Sequence, residues 1–460
     1  MKKIIKIFSS ALMLVFLLTT GLTCGGGQQA SVAPVTLEYW GVWHEPDDIQ
    51  TIISDYRLKY PNVTINYRKF RFEEYEKELL EAFAEDRGPD IFQIHNTWVN
   101  EYLPKITPLP NRMRLSRKVV ETGLRSKETT VTEDIVPLGV KDVSAIFPEV
   151  VAEDVVWPDS SDTTTQDRIF GLPLYLDSLV MFYNRDLFNN ANIPQPPRNW
   201  NDFISAVQRL TTKDTDGNIL ISGAAMGAAD NVTRFFDILS LLMMQNGTAM
   251  ATKSGNVTFD EIPAGSGLTS APGLEALDFY TSFSMIDKGV YTWNQDSSNS
   301  LDAFISGQAA IFFGYSYHIP VINSRAPKLN YEIASMPQVD EKNRTNYANY
   351  WVETVSKKSK NVSHAWNFIY FATSQTEAEK YLASANRPTA LRALINKQLQ
   401  DPDLDVFADQ VLTAKSWYRG KDSEAAESIF KDMVNSVLEG TKLSDAVKLA
   451  VQRIRLTWRQ

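Results

Sequence analysis

Apolar positions recur along this chain with a period of two, then at helical spacing, and the two rhythms alternate. Val35 to Trp40 alternates and predicts a strand. Asp47 to Tyr60 places Ile49, Ile52, Ile53 and Tyr56 on one face of a helix, stopped by Pro61-Asn62. Val63 to Phe70 reads as a second strand. Glu73 to Glu85 reads as a helix with Tyr75, Leu79, Leu80 and Phe83 inward. After the Gly88-Pro89-Asp90 turn, Ile91 to Ile94 is a short buried strand. This β–α–β–α–β order predicts a parallel sheet.

From about 110 to 168 the pattern is irregular and charged, with a polar loop over Asp159–Thr165. Beyond it, strands are expected at Leu179–Tyr183, Ala310–Phe313 and Tyr331–Ala334. Helices are expected at Asn201–Leu210, Phe235–Gln245, 363–373, 376–385, 423–439 and 443–457. Lys213–Asn218 is a polar turn. No repeat of 20–50 residues is visible. The chain is long enough for two α/β lobes with separate cores.

The start of the chain follows a different pattern. Lys2, Lys3 and Lys6 precede the apolar run Ile7–Leu18. That run is shorter than the roughly 20 residues of a membrane-spanning helix and fits a secretory signal. Next come Thr20-Gly21-Leu22-Thr23-Cys24 and the tether Gly25-Gly-Gly-Gln-Gln29. The stretch resembles a bacterial lipoprotein signal, whose cysteine becomes the acylated first residue. It departs from that pattern in holding Gly21 and Thr23 three and one places before the cysteine, where Leu and Gly or Ala are usual. The resemblance implies a signal peptide over 1–23, lipid attachment at Cys24 and a flexible tether over 24–35. Acyl chains, at about 0.8 kcal/mol per buried methylene, would then hold the protein at the membrane.

Composition narrows the functional classes. Among 460 residues there is one cysteine, so a disulfide framework or thiolate metal cluster within the chain is excluded. The four histidines (His44, His95, His318, His364) are not close in sequence, and no metal or cofactor is expected. The net charge is −9, becoming −12 if three lysines leave with residues 1–23. No basic run occurs, so nucleic acid is not an expected partner. Asp214-x-Asp216-Gly217 has its glycine too early for a calcium loop and reads as a turn. Gly420-Lys421 lacks the Ser or Thr of a phosphate-binding loop, and there is no G-x-S-x-G elbow.

Ten Trp and eighteen Tyr leave many flat rings, which suit the apolar faces of sugars. Trp43, His44 and Glu45 follow the first strand, and Asn96 and Trp98 follow the third. Open α/β sheets bind ligands at such strand ends. Trp40 reads as core, Asp90 as a turn tie, and Trp200 as a helix start capped by Asn199 or Asn201.

Several short segments occur in an order that resembles the extracellular solute-binding family 1, the maltose-binding-type receptors of ABC importers. They include Tyr39-Trp40-Gly41, Tyr60-Pro61-Asn62-Val63, Pro89-Asp90-Ile91-Phe92, Gly171-Leu172-Pro173 and Tyr183-Asn184-Arg185-Asp186-Leu187-Phe188. Further along stand Pro196 to Phe203, Lys213 to Asn218, Phe304 to Ile311 and Ser359-Lys360-Asn361. The resemblance spans nearly the whole chain after the signal and is weakest at about 110–165.

It implies an α/β, two-lobed periplasmic-binding-protein fold of type II, with mixed sheets flanked by helices and joined by hinge strands. Lobe one would hold 36–176 and about 338–372. Lobe two would hold 177–337 and about 373–460, with crossings near Asp177 and Ser335. It further implies a cleft acid at Asp177, a stacking aromatic at Tyr315 or Tyr317, and candidates at Trp351, Arg234-Phe235 and Trp417-Tyr418-Arg419. The expected function is a monomeric, extracytoplasmic, lipid-anchored receptor that passes a carbohydrate, an oligosaccharide, to an ABC permease without catalysis. Two other readings stand beside it: a secreted glycan hydrolase or lyase using Asp177 with Glu45 or Asp90, and a surface adhesin or sensor.

Overall fold

The computed structural model describes residues 32–121, 127–159 and 165–459. The expected signal segment, Cys24, the tether up to Ser31 and residues 160–164 of the polar loop lie outside the described residues.

Two apolar cores form on either side of a narrow crossing. The first surrounds five strands in the order Val63–Lys69, Val35–Gly41, Ile91–His95, Trp351–Ser356 and Ile106–Thr107. The first three run parallel, and Trp351–Ser356 returns antiparallel against Ile91–His95. The intervening helices are Pro46–Lys59, with proline at its start, and Phe72–Ala84. On the latter, Leu80 faces solvent, 38% exposed, and Ala82 takes its expected place inside.

In the second core Val180–Asn184 lies between Ile311–Gly314 and Tyr331–Ala334, antiparallel to both. Helices Trp200–Leu210, Phe235–Gln245, Pro272–Ser282, Ser423–Leu438 and Leu443–Leu456 contribute to the core on one face. Phe304, Ile322, Leu404 and Phe407 cover Val180 and Phe182 on the other. Asn199 caps the first of these helices by accepting from Asp202 N at 2.9 Å. Phe235–Gln245 is apolar almost all round because it runs through the middle of this core.

The crossing is a small sheet. Asn346–Asn349 pairs with Asp177–Ser178 on one side and Ala414–Lys415 on the other. The first passage falls at Asp177. The second falls at Tyr347–Ala348 rather than near Ser335, because Met336 and Tyr347 pack in the second core and Ala348 in the first. Residues after 372 also depart from the expected division. Gln375–Ala385 and Arg392–Gln398 belong to the first core, and Tyr381 of the former bonds His44 at 2.6 Å.

The irregular stretch contains a long hairpin, Met113–Glu121 with Lys127–Ile135, and two helices, Val140–Ile146 and Glu149–Val155. Only Met113 and Leu115 of the hairpin's first strand are apolar core residues. Ile135 packs against the same core, Val119 is half-buried and Val131 is exposed, but most of the other side chains are polar or charged, including a 2.7 Å pair between Arg117 and Glu133, so the alternation in the sequence is weak.

Candidate functional site

The parallel strands of the first lobe end at a cavity of about 850 Å³ between the lobes. After Val35–Gly41 the chain is held by Gln93, whose Oε1 accepts from Val42 N at 2.7 Å and Trp43 N at 3.3 Å. A side chain at Gly41 would come within 2.7 Å of Gln93 Oε1 and the Tyr67 hydroxyl, so the turn needs glycine's small size. This turn carries Trp43 to the cavity wall.

Trp351 opens its strand directly opposite His95 in register. Its ring meets Trp98 at 5.2 Å and 67°, and Trp43 at 6.4 Å and 64°. Phe72 closes the group, 5.9 Å from Trp43 and 6.2 Å from Trp351. From the second lobe, Tyr317 lies 5.5 Å from Trp43 at an interplanar angle of 28°. Trp43, Phe72, Trp98, Trp351, Tyr175 and Tyr317 all line the cavity. Trp43 Nε1 is buried without a partner, leaving a donor to be satisfied.

Asp177 also lines the cavity, where the strands cross. Its Oδ2 accepts from Ser316 N at 2.9 Å and Ser316 Oγ at 2.6 Å, and its Oδ1 from Ser178 N at 2.9 Å. Burial lifts its pKa to about 6 against the opposing pull of these bonds and of Arg387. It therefore ties the crossing strand to Ser316 of the second lobe.

Six candidate site residues sit away from the cavity wall; one of them, Arg419, pairs with Glu153 and Asp154. His44 is fully buried, with Nδ1 2.6 Å from the Tyr381 hydroxyl and Nε2 2.7 Å from Glu353 Oε1. Glu45 points outward and pairs with Lys69 at 2.5 Å. Asn96 is buried and donates to Asp154 Oδ2 at 2.9 Å. Tyr315 lies in the second core and donates to Asp237 Oδ2 at 2.6 Å. Trp417 lies there too, its Nε1 bonded to Ser240 Oγ at 2.9 Å. Each belongs to a segment that does reach the cleft, but His44, Asn96, Tyr315 and Trp417 turn their side chains inward, and Glu45 turns its own out to solvent.

The site also contains residues the sequence did not single out. Phe72 follows the second strand, the same topological signal that marks Trp43. Arg387 follows left-handed Asn386 and lies 5.4 Å from the Tyr175 ring, with no local pattern to announce it. His95 is held neutral, its pKa pulled to about 3 by burial and then by the Arg234 charge. Glu76 and Glu101 of the first lobe and Asp422, Glu424 and Glu427 of the second form an acidic end to the cavity. Burial and then Glu76 push Glu101 up to about 7.

The arrangement offers flat apolar walls with hydrogen-bonding edges, which suits a ligand of hydroxylated rings. Glu45 and Asp90 do not line the cavity with Asp177; Asp90 accepts from Glu38 N at 3.0 Å instead. Among the described residues no cluster of His, Cys, Asp and Glu could hold a metal ion, and no helix is long and apolar enough to cross a membrane.

The family model for the bacterial extracellular solute-binding protein matches residues 131–379. A protein of Brucella abortus (strain 2308), described only as a binding protein, is 25% identical over 216 residues, 46% of this chain and 48% of its own. The maltodextrin-binding protein MdxE of Bacillus subtilis (strain 168) is 23% identical over 253 residues, 52% of this chain and 54% of its own. The chain thus spans about half the length of the curated relatives it matches. Among solved structures, the ABC substrate-binding protein Lmo0181 of Listeria monocytogenes, in complex with cycloalternan, superposes with a TM-score of 0.66. It is 15% identical, covering 92% of this chain and 99% of that one. The shared fold is an α/β periplasmic-binding-protein fold, with mixed sheets flanked by helices.

Proposed function

Since this chain belongs to the bacterial extracellular solute-binding protein family, we propose that it is the non-enzymatic receptor of an ABC importer and takes an oligosaccharide into its interlobe cleft. The observation that carries this reading is the aromatic wall of Trp43, Phe72, Trp98 and Trp351, faced by Tyr317 from the other lobe. Trp351 meets Trp43, Phe72 and Trp98 at 64–84°, while Trp43 lies closer to parallel with Phe72 and Tyr317, so the rings present faces in several directions for successive sugar units to stack on. The cavity, about 850 Å³, exceeds what a single small solute fills. The maltodextrin-binding relative and the cycloalternan-bound neighbour support the same ligand class.

Closure on ligand would proceed by hinge motion at the crossing strands, driven by the ligand's stronger contact with both walls than with one. The acidic end of the cleft disfavours acidic ligands. We further propose that Cys24 carries the lipid that keeps the receptor at the outer face of the cell membrane, where it meets its permease as a monomer. Titration calorimetry against neutral oligosaccharides tests the ligand assignment, and membrane fractionation of Cys24→Ser tests the anchor.

A further inference from the structure

Arg234 is a non-glycine residue with a left-handed backbone, φ 62°, at the start of helix Phe235–Gln245. L residues enter this region at a cost, so the surroundings must hold it there. The holding group is Asp237, one turn on and 1% exposed. Its Oδ2 accepts from Arg234 Nε at 2.7 Å and Nη2 at 2.6 Å, and from the Tyr315 hydroxyl at 2.6 Å. The guanidinium lies 5.7 Å from the centre of the Tyr315 ring. The Arg234 side chain keeps 28% of its surface open, and it lines the cavity. Among the described residues no hydrogen-bonded acceptor takes its Nη1.

Resting on the carbohydrate reading above, we propose that Arg234 is a ligand-contacting specificity residue, with Asp237 and Tyr315 as the positioning residues that aim it. The buried carboxylate does two things. It fixes one edge of the guanidinium fork, so the other edge faces the cleft in one orientation. It also cancels the charge locally, so the free N–H groups act as donors to sugar hydroxyls without the pull a bare guanidinium exerts on carboxylate or phosphate. The left-handed turn is what brings the fork to the cavity. Specificity for neutral over anionic sugar units then comes from Asp237, a residue whose carboxylate faces the core side of the pair.

The test is calorimetric titration of the full mature chain with maltotetraose, mannobiose and a galacturonate trimer. The variants are Arg234→Lys, Tyr315→Phe, the two combined, and Asp237→Asn. Arg234→Lys keeps the charge and loses the fork, and should weaken the best neutral binder by about tenfold or more. Tyr315→Phe removes one hydroxyl and should weaken it several-fold, with no further loss when added to Arg234→Lys. Asp237→Asn should lower the neutral-over-acidic preference by about tenfold. Independent, multiplying effects of Tyr315→Phe and Arg234→Lys would overturn the positioning role, and unchanged affinity in Arg234→Lys would overturn the contact. If Asp237→Asn does not fold, the Tyr315→Phe pair still decides. A wild-type chain silent toward every sugar would instead overturn the carbohydrate reading itself.

Discussion

The rings of Trp43 and Tyr317 stack across the cleft, 5.5 Å apart and 28° from parallel, so the two lobes touch through a pair of aromatic side chains. Such pairs contribute about 0.5–1.5 kcal/mol beyond the area they bury. The contact therefore favours the closed arrangement before any ligand arrives. Tyr317→Ala should shift the ligand-free equilibrium toward the open form by roughly two- to tenfold. Small-angle scattering would register this as a larger radius of gyration without ligand, and an unchanged radius would contradict it.

His44 adjoins Trp43 in sequence and does different work. It joins Tyr381 of a late helix to Glu353 of the returning strand, while Tyr39 donates to the other Glu353 oxygen at 2.6 Å. His44→Ala leaves the Glu353 carboxylate buried without this partner. The expected loss is about 3–5 kcal/mol of unfolding free energy, read by chemical denaturation. Trp43→Ala should cost ligand affinity instead, with a smaller change in stability. Equal stability losses in the two variants would contradict this division.

Glu101 gives a pH dependence with a definite sign. Burial, followed by the charge of Glu76, raises its pKa from the ordinary 4.5 to about 7 in the folded chain. The folded state thus holds the proton more tightly than the unfolded one. This contribution to stability is full below the unfolded value and is lost as pH rises through about 7. Glu101→Gln should flatten the fall in thermal midpoint between pH 5 and 8. A fall as steep as that of the parent would assign the effect elsewhere.

Cys24→Ser should release the protein from membranes or stall its maturation, while leaving ligand affinity as it was. Fractionation with a titration of the released protein checks both parts. A variant that is exported, cleaved and still membrane-bound would refute lipid anchoring at this cysteine.

Much of the fold can be read in the sequence because its strands and helices bury one clear stripe or run. The five elements from Val35 to His95 and the helices Phe235–Gln245 and Ser423–Leu438 are of this kind. The hairpin Met113–Ile135 is not, since its pairing rests on backbone bonds and polar cross-strand contacts such as Ser116 with Thr132. The second passage between lobes falls at Tyr347–Ala348, neighbours that serve opposite cores and so leave no apolar run to mark it. In the site, the strand ends lead to the turn bearing Trp43, but topology does not say which neighbour faces out. Trp43 reaches the cavity and His44 turns inward; Tyr317 reaches it and Tyr315 turns inward. Arg387 comes from a segment whose fold partners are distant in sequence, so only the assembled structure brings it to the cleft.

The proposed ligand of the aromatic cleft is a neutral oligosaccharide. Isothermal titration of the mature chain with maltotetraose, mannobiose and related neutral oligosaccharides tests it most directly. Saturable one-to-one binding of at least one of them, weakened by Trp351→Ala, is expected; no heat from any neutral sugar, with binding of a peptide or polyamine in its place, would overturn the assignment.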